Sequence, residues 1–189
     1  MNKLFKNSFF VLNKYDSLIC VFMNQFSSVK LIRYFFKFIS RLGDGLFWYL
    51  LMAGLLIYEN FLTIIPVMHM AVFGGLGTLI YLILKNKIAR PRPFEVNQAI
   101  LMQGKVLDRF SFPSGHTMHA VIFSLIAIHY YPFLELPLIM MTILISLSRV
   151  ILGLHYVSDV LISFIIGFFI FELSLFISWN RIPSYFIYS

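Results

Sequence analysis

Long apolar stretches that lack charged residues constrain the fold of this chain more than any other feature. The clearest stretch covers residues 61–84, which is long enough to cross a bilayer as a helix. Hydrophobic residues make up 60% of the chain and charged residues 12%, against about 25% charged residues in a typical soluble domain. One soluble core could not bury so much apolar surface. The sequence therefore predicts an integral membrane protein and excludes a soluble enzyme.

The apolar stretches predict an all-α fold, a polytopic membrane helix bundle of about five to six transmembrane helices with an N-terminal interfacial segment. The five spans cover residues 46–58, 61–84, 116–131, 136–154 and 160–179. A sixth span over about residues 7–26 would place Lys14 and Asp16 inside the bilayer, which is costly. Cys20 is the sole cysteine, so the chain cannot form an intramolecular disulfide.

Residues 1–189 are predicted to form a single membrane-embedded domain. Within it, residues 1–40 form an interfacial segment, because aromatic residues alternate there with spaced lysines. The sequence Gly43-Asp44-Gly45 breaks this pattern, and residues 41–180 form the predicted catalytic helix bundle.

Basic residues are unevenly distributed along the chain, which has a net charge of +7. Most of them lie before residue 42 or between residues 85 and 109. Nucleic acid is the usual partner of a basic protein, but for a membrane protein the phosphate of a lipid is the expected partner. We therefore expect the lipid bilayer and a lipid phosphate as partners, and no nucleic acid. The oligomeric state stays open.

Polar and charged residues form three clusters at predicted span boundaries, over residues 85–93, 112–117 and 148–159. The ends of the second and fourth spans and the starts of the third and fifth spans share one membrane face, because two crossings separate them. The three clusters can therefore meet in space. Charged residues at a membrane boundary are costly, so their clustering indicates a functional site.

The residue types in the three clusters fit a site for a phosphoryl group. Lys85, Arg92 and Arg149 supply positive charge, and Ser114 lies beside backbone N–H groups at a helix start. His155 and Asp159 are four residues apart and share one face of a helix. A metal site has less support, because carboxylates are scarce and no metal-binding spacing occurs, so we assign no metal ligand and no cofactor.

Three segments resemble the tripartite signature of the type 2 phosphatidic acid phosphatase family, which includes vanadium haloperoxidases and bacterial acid phosphatases. The segments are Lys85-x6-Arg92-Pro93, Pro113-Ser114-Gly115-His116 and Ser148-Arg149-x5-His155-x3-Asp159. They occur in the family's order and at full spacing. The resemblance covers about residues 41–180, while residues 1–40 match only loosely.

The resemblance implies a role for each matching residue. His155 would be the nucleophile that forms a phosphohistidine, Asp159 would orient it, and His116 would be the general acid. The residues implied to hold the phosphoryl oxygens are Lys85, Arg92, Ser114, Gly115 and Arg149. The implied mechanism is independent of metal ions.

These roles predict a metal-independent lipid phosphatase that hydrolyses a phosphomonoester or a diphosphate lipid. We favour undecaprenyl diphosphate, because the small size and short loops resemble bacterial members that recycle this carrier. The alternatives are phosphatidylglycerophosphate, phosphatidic acid and lipid A phosphates, or a non-catalytic protein that binds or transports an anionic lipid. The sequence does not decide between these substrates.

Two further questions stay open at this stage. The roles of His119, Arg90 and Glu172 are undecided, since the family signature does not select them. The predicted location is the inner membrane of a bacterium, with the active site facing the periplasm or the exterior. Positive-inside counting of the N-terminal basic residues favours the opposite orientation.

Overall fold

A computed structural model describes the backbone of residues 3–59 and 64–176, with side chains from residue 14 onward. Within this part the chain forms α-helices and short helical turns. The α-helices are α1 (Lys3–Gln25), α2 (Lys30–Arg41), α3 (Phe47–Tyr58), α4 (Ile65–Ile88), α5 (Pro93–Val96), α6 (Gly115–Tyr130), α7 (Glu135–Ile151) and α8 (Val157–Phe176). Strands are absent from the described residues, which agrees with the predicted all-α fold.

Four segments of the described chain are long and apolar enough to cross a membrane. They are Lys30–Tyr58, Ile65–Val96, Pro132–Ile151 and Val157–Phe176. Helix α6 has 16 residues and lies at the centre of the bundle, packed against α4, α7 and α8. This arrangement agrees with the predicted polytopic bundle. The predicted start of the second span at residue 61 and the predicted end of the fifth at residue 179 lie outside the described residues.

The central position of α6 follows from its side chains and from the glycines that face it. The side chains of Met118, Ile122 and Ile126 are completely buried. A Cβ atom at Gly77 of α4 would lie 2.6 Å from Ile122, and one at Gly167 of α8 would lie 3.0 Å from Val121. Small residues at these positions let the helix backbones approach closely, as is usual in membrane bundles.

The predicted break at residues 43–45 coincides with a kink in the structure. These residues lie in a wide turn, Leu42–Leu46, that joins α2 to α3. Gly45 adopts a φ of 127°, a non-helical conformation that a residue without a Cβ atom tolerates, so the chain kinks there and α2 and α3 are two helices. The predicted interfacial residues of α2 therefore precede the spanning helix α3 and meet it at this kink.

Helix α1 packs across the end of the bundle where α7 ends and α8 begins. Its residue Asn24 donates through Nδ2 to the backbone oxygens of Leu101 and Ile151, both at 2.9 Å. The Cys20 side chain is completely buried beside the backbone oxygen of His155. The N-terminal segment thus contacts the same end of the bundle that carries the three polar clusters.

Candidate active site

The three polar clusters meet at one end of the bundle, as the counting of crossings predicted. The first cluster begins in the last turn of α4, and the second leads into the N-terminus of α6. The third joins the last turn of α7 to the first turn of α8. All eight residues assigned from the sequence lie at this end. Three of them, Gly115, His116 and His155, line a common cavity of about 500 Å³.

His155 lies in the tight connection between α7 and α8. Gly153 has a φ of 74° there, and the His155 N–H donates to the Arg149 oxygen at 3.1 Å, which fixes the backbone of the connection. The ring is 2% exposed. Burial lowers the pKa of His155 to about 3, an effect that Asp159 opposes and Arg149 reinforces. The ring is therefore neutral near pH 7, with a lone pair available on one nitrogen.

Asp159 lies one helical turn after His155 and is completely buried. Its Oδ2 atom is 3.7 Å from Nδ1 of His155, which is a contact longer than a hydrogen bond. The same oxygen accepts a hydrogen bond of 2.9 Å from the Tyr156 N–H. The carboxylate is thus held beside the imidazole, in the position that an orienting partner requires.

Arg90 connects the Asp159 carboxylate to helix α1. Its Nη1 atom is 2.6 Å from Oδ1 of Asp159, and its Nη2 atom is 2.9 Å from Oδ2 of Asp16. The guanidinium also lies over the ring of Tyr156, 3.8 Å from the centroid. Arg90 had no assigned role in the sequence analysis, and the structure places it behind the His155–Asp159 pair.

His116 lies at the first turn of α6 and pairs with a carboxylate that sequence reasoning missed. Its Nε2 atom is 2.5 Å from Oδ1 of Asp44, in the turn between α2 and α3. From the sequence, Asp44 is predicted to be part of a helix break, because a Gly-Asp-Gly sequence is typical of turns. The position of Asp44 beside an apolar stretch could have indicated a functional role, since ionisable residues in such regions are usually functional.

The three predicted cations are almost completely buried at this end of the bundle. Arg149 donates through Nη1 to Ser40 Oγ at 2.5 Å, so α2 also contributes to the site. Lys85 and Arg92 both contact the carboxylate of Asp108, which the sequence analysis did not single out. Burial raises the pKa of Asp108, but hydrogen bonds from Lys85 and Tyr81 outweigh this effect and hold it below its usual value.

Ser114 and Gly115 form the N-terminal edge of α6. The Ser114 N–H donates to Ser163 Oγ at 2.7 Å, and the Ser114 hydroxyl lies 3.1 Å from Oγ1 of Thr117. A Cβ atom at Gly115 would lie 3.0 Å from the Tyr81 ring, so a larger residue would crowd this edge of the cavity. Helix N-termini favour anions through their N–H groups and dipole.

The cavity changes character along its length. Its polar end contains His116, His155 and Asp108, whereas its walls continue along α3, α4 and α6 with apolar and small residues. The apolar lining residues include Trp48, Met52, Ala71, Gly74 and Phe123. A ligand with a charged head and an apolar tail matches this division.

The remaining residues left open by the sequence have distinct positions. His119 lines the cavity, and its ring nitrogens lie 2.8 Å from the Gly115 oxygen and 2.9 Å from Thr78 Oγ1. Glu172 lies in the last turns of α8, far along the helix from Asp159. Groups of three His, Cys, Asp or Glu residues that could bind a metal ion are absent from the part of the chain that the structure describes.

Comparison with known proteins agrees with the resemblance carried by the three motifs. The chain matches the family model of the PAP2 superfamily over residues 66–183. It is 35% identical to phosphatidylglycerophosphatase B of Bacillus subtilis (strain 168) over 132 residues, or 64% of this chain and 61% of that protein. It is 30% identical to undecaprenyl-diphosphatase BcrC of the same organism over 112 residues, or 57% of this chain and 58% of that protein. The chain thus covers less than two thirds of either relative.

Solved structures show the same architecture. The transmembrane PAP2-type phosphatidylglycerolphosphate phosphatase from Bacillus subtilis has a TM-score of 0.74 and 26% identity, covering 93% of this chain and 89% of that one. Aquifex aeolicus LpxE shares the fold, with a TM-score of 0.70, 24% identity and coverage of 82% and 92%. The family model, the relatives and the fold lead to one conclusion: this chain is a membrane-spanning member of the PAP2 superfamily.

Proposed function

We propose that this protein is a membrane lipid phosphatase that works through a phosphohistidine on His155. The proposal rests on one observation. His155, which is buried and neutral, and His116, which is paired with Asp44, line the same cavity. A nucleophile and a proton donor on one cavity are what phosphoryl transfer to a side chain requires. A protein that only binds or transports an anionic lipid needs neither of them.

The proposed reaction has two steps. In the first, a nitrogen of His155 attacks phosphorus, the bond from phosphorus to the leaving oxygen breaks, and His116, which enters this step as the imidazolium, gives its proton to that oxygen. In the second, water attacks the phosphohistidine, His116 accepts the proton of the water, and inorganic phosphate leaves with His155 restored. Asp159 orients the attacking ring throughout.

Charge on the phosphoryl oxygens would be stabilised by side chains and backbone N–H groups of this chain. Arg149, Lys85 and Arg92 supply positive charge, and Ser114 and Gly115 supply the helix start. Three buried cations supply positive charge of the kind that a metal ion provides in other phosphatases. We therefore propose that the reaction is independent of metal ions.

The proposed substrate is a lipid phosphomonoester or diphosphate, because the cavity joins a charged end to apolar walls. Undecaprenyl diphosphate is the first candidate, in keeping with the similarity to BcrC. Phosphatidylglycerophosphate is the second, on the similarity to phosphatidylglycerophosphatase B. Phosphatidic acid and lipid A phosphates complete the set to be tested.

A phosphate-release assay on purified protein tests this proposal. We expect turnover of at least one of the four lipids, fastest for undecaprenyl diphosphate, and an unchanged rate after chelation by EDTA. Folded, monodisperse protein that releases phosphate from none of them would favour a binding or transport role. Loss of activity in EDTA, restored by magnesium or zinc, would instead indicate metal-ion catalysis.

We propose further that the catalytic end faces the periplasm or the exterior of a bacterial inner membrane. Positive-inside counting concerns loop charges, whereas Lys85, Arg90 and Arg92 are paired with carboxylates, and Lys85 and Arg92 are also buried. The N-terminal basic residues of α2 would contact lipid headgroups, because they alternate with apolar residues along an amphipathic helix.

Single cysteines test this orientation in intact cells. In a Cys20→Ser background, a membrane-impermeant maleimide should label Lys105→Cys, in the exposed loop of the catalytic end, and should not label Glu59→Cys at the opposite end. Lysed cells provide the control, because both positions should be labelled there. Labelling of position 59 but not position 105 in intact cells would reverse the proposed orientation.

A further inference from the structure

The carboxylate of Asp108 lies between two of the cations that are proposed to hold phosphate. Its Oδ1 atom contacts both Nζ of Lys85 and Nη2 of Arg92, the second at 2.8 Å. Its Oδ2 atom accepts a hydrogen bond of 2.7 Å from the Tyr81 hydroxyl. Two carboxylate oxygens thus accept charge-assisted hydrogen bonds of the kind that two phosphate oxygens would accept.

Most of the N–H donors of Arg92 already have acceptors within the protein. Its Nη1 atom donates to the Leu154 oxygen at 2.7 Å, and its Nε and Nη2 atoms donate to the Asp108 backbone oxygen at 3.3 and 3.0 Å. The side chain is 1% exposed. A phosphate oxygen that approaches Nη2 of Arg92 must therefore share its N–H groups with Asp108 or displace the carboxylate.

Asp108 is the member of this cluster whose side chain can move away from the other two. Its side chain is 29% exposed, against 5% for Lys85 and 1% for Arg92. It lies in the loop between α5 and α6, outside the regular helices, and it lines the cavity beside His116 and His155. Loops open at a lower free-energy cost than packed helices.

We propose that the Asp108 carboxylate competes with phosphate oxygens for Lys85 and Arg92, and thereby weakens the binding of inorganic phosphate and speeds its release. The inference rests on the proposed function, in which phosphate is the product. Two anions in one site repel each other, so the carboxylate returns to the cations as the product leaves. A purely structural Asp108 would have the opposite effect, because it would hold the cations in place for phosphate.

Equilibrium dialysis with radiolabelled inorganic phosphate separates these two roles. For Asp108→Asn we expect the Kd for phosphate to fall about tenfold, since the charge-assisted hydrogen bonds of the carboxylate are lost while its shape is kept. Asp108→Ala should shift the Kd in the same direction. Glu135→Gln, an acidic residue at the opposite end of the bundle, should leave it unchanged.

An unchanged or higher Kd in Asp108→Asn would overturn the proposal. Failure of both Asp108 variants to give folded, monodisperse protein would also overturn it, because the carboxylate would then be needed to hold the cations. Phosphate binding is measured without turnover. A protein that hydrolyses no lipid would therefore refute the proposed function while still giving a result for Asp108.

Discussion

Replacing His155 with alanine is expected to lower the turnover of lipid phosphate by at least about 10³-fold. The substitution removes the nitrogen that is proposed to attack phosphorus, so the covalent route would be lost rather than slowed. Substrate binding should change much less, because the cations and the start of α6 stay in place. Initial rates of phosphate release over a range of lipid concentrations separate these two effects.

A matched substitution and a trapping experiment make this test specific. His129→Ala changes an exposed histidine in the last turn of α6, at the other end of the bundle, and should retain normal activity. Phosphate label from the lipid should appear on the wild-type protein in an acid-labile form, and it should be absent from His155→Ala. Near-normal turnover of His155→Ala would exclude the phosphohistidine mechanism.

The membrane fold could be predicted from the sequence because its signal is simple. Apolar stretches of about 20 residues have few alternatives to a spanning helix. The meeting of the three polar clusters followed from the parity of crossings, which depends on span order and not on detailed packing. Even the short α6 was identified, since Pro132 cannot continue a helix and sets its end.

The break at Gly43-Asp44-Gly45 could also be predicted from local sequence, because glycine tolerates backbone conformations outside the helical region. In the structure Gly45 adopts a φ of 127°, and the chain kinks there between α2 and α3. Local sequence could not show that α2 packs against α7 or that Asp44 contacts His116, because both contacts join residues that are distant in the chain.

The carboxylates that contact the predicted residues are the part that sequence reasoning missed. Asp16 binds Arg90, Asp44 binds His116, and Asp108 binds Lys85 and Arg92. None has a fixed spacing from its partner, and two of the contacts join residues more than 70 positions apart. Composition could have indicated these carboxylates. The chain has only 8 acidic residues, and an acidic residue near an apolar region of a membrane protein is usually functional.

The N-terminal helices are more closely connected to the candidate site than a separate interfacial segment would be. Asp16 of α1 contacts Arg90, which in turn contacts Asp159. In addition, Ser40 contacts Arg149 and Asp44 contacts His116. Each of these contacts fixes the position of a residue with a proposed role. Substitutions in residues 14–44 should therefore alter catalysis as well as membrane attachment.

Replacing His116 with alanine should lower the hydrolysis of a lipid phosphomonoester by about 10²–10⁴-fold, the usual contribution of a general acid. The size of the loss should depend on the leaving group. A lipid alkoxide is a poor leaving group and needs a proton, whereas p-nitrophenolate is stable without one. Parallel assays with the lipid and with p-nitrophenyl phosphate should therefore give a much smaller loss for the second substrate.

Asp44→Asn extends this test to the partner of His116. Its Oδ1 atom lies 2.5 Å from Nε2 of the ring, so the carboxylate fixes how the imidazole faces the cavity. We expect a smaller loss than for His116→Ala, with the same preference for the activated substrate, because the ring is still present but less well oriented. Equal losses on both substrates for His116→Ala would mean that His116 contributes binding and not proton transfer. In that case the leaving oxygen must obtain its proton from water or from another residue that lines the cavity, and His119, one turn further along α6, would be the first to test.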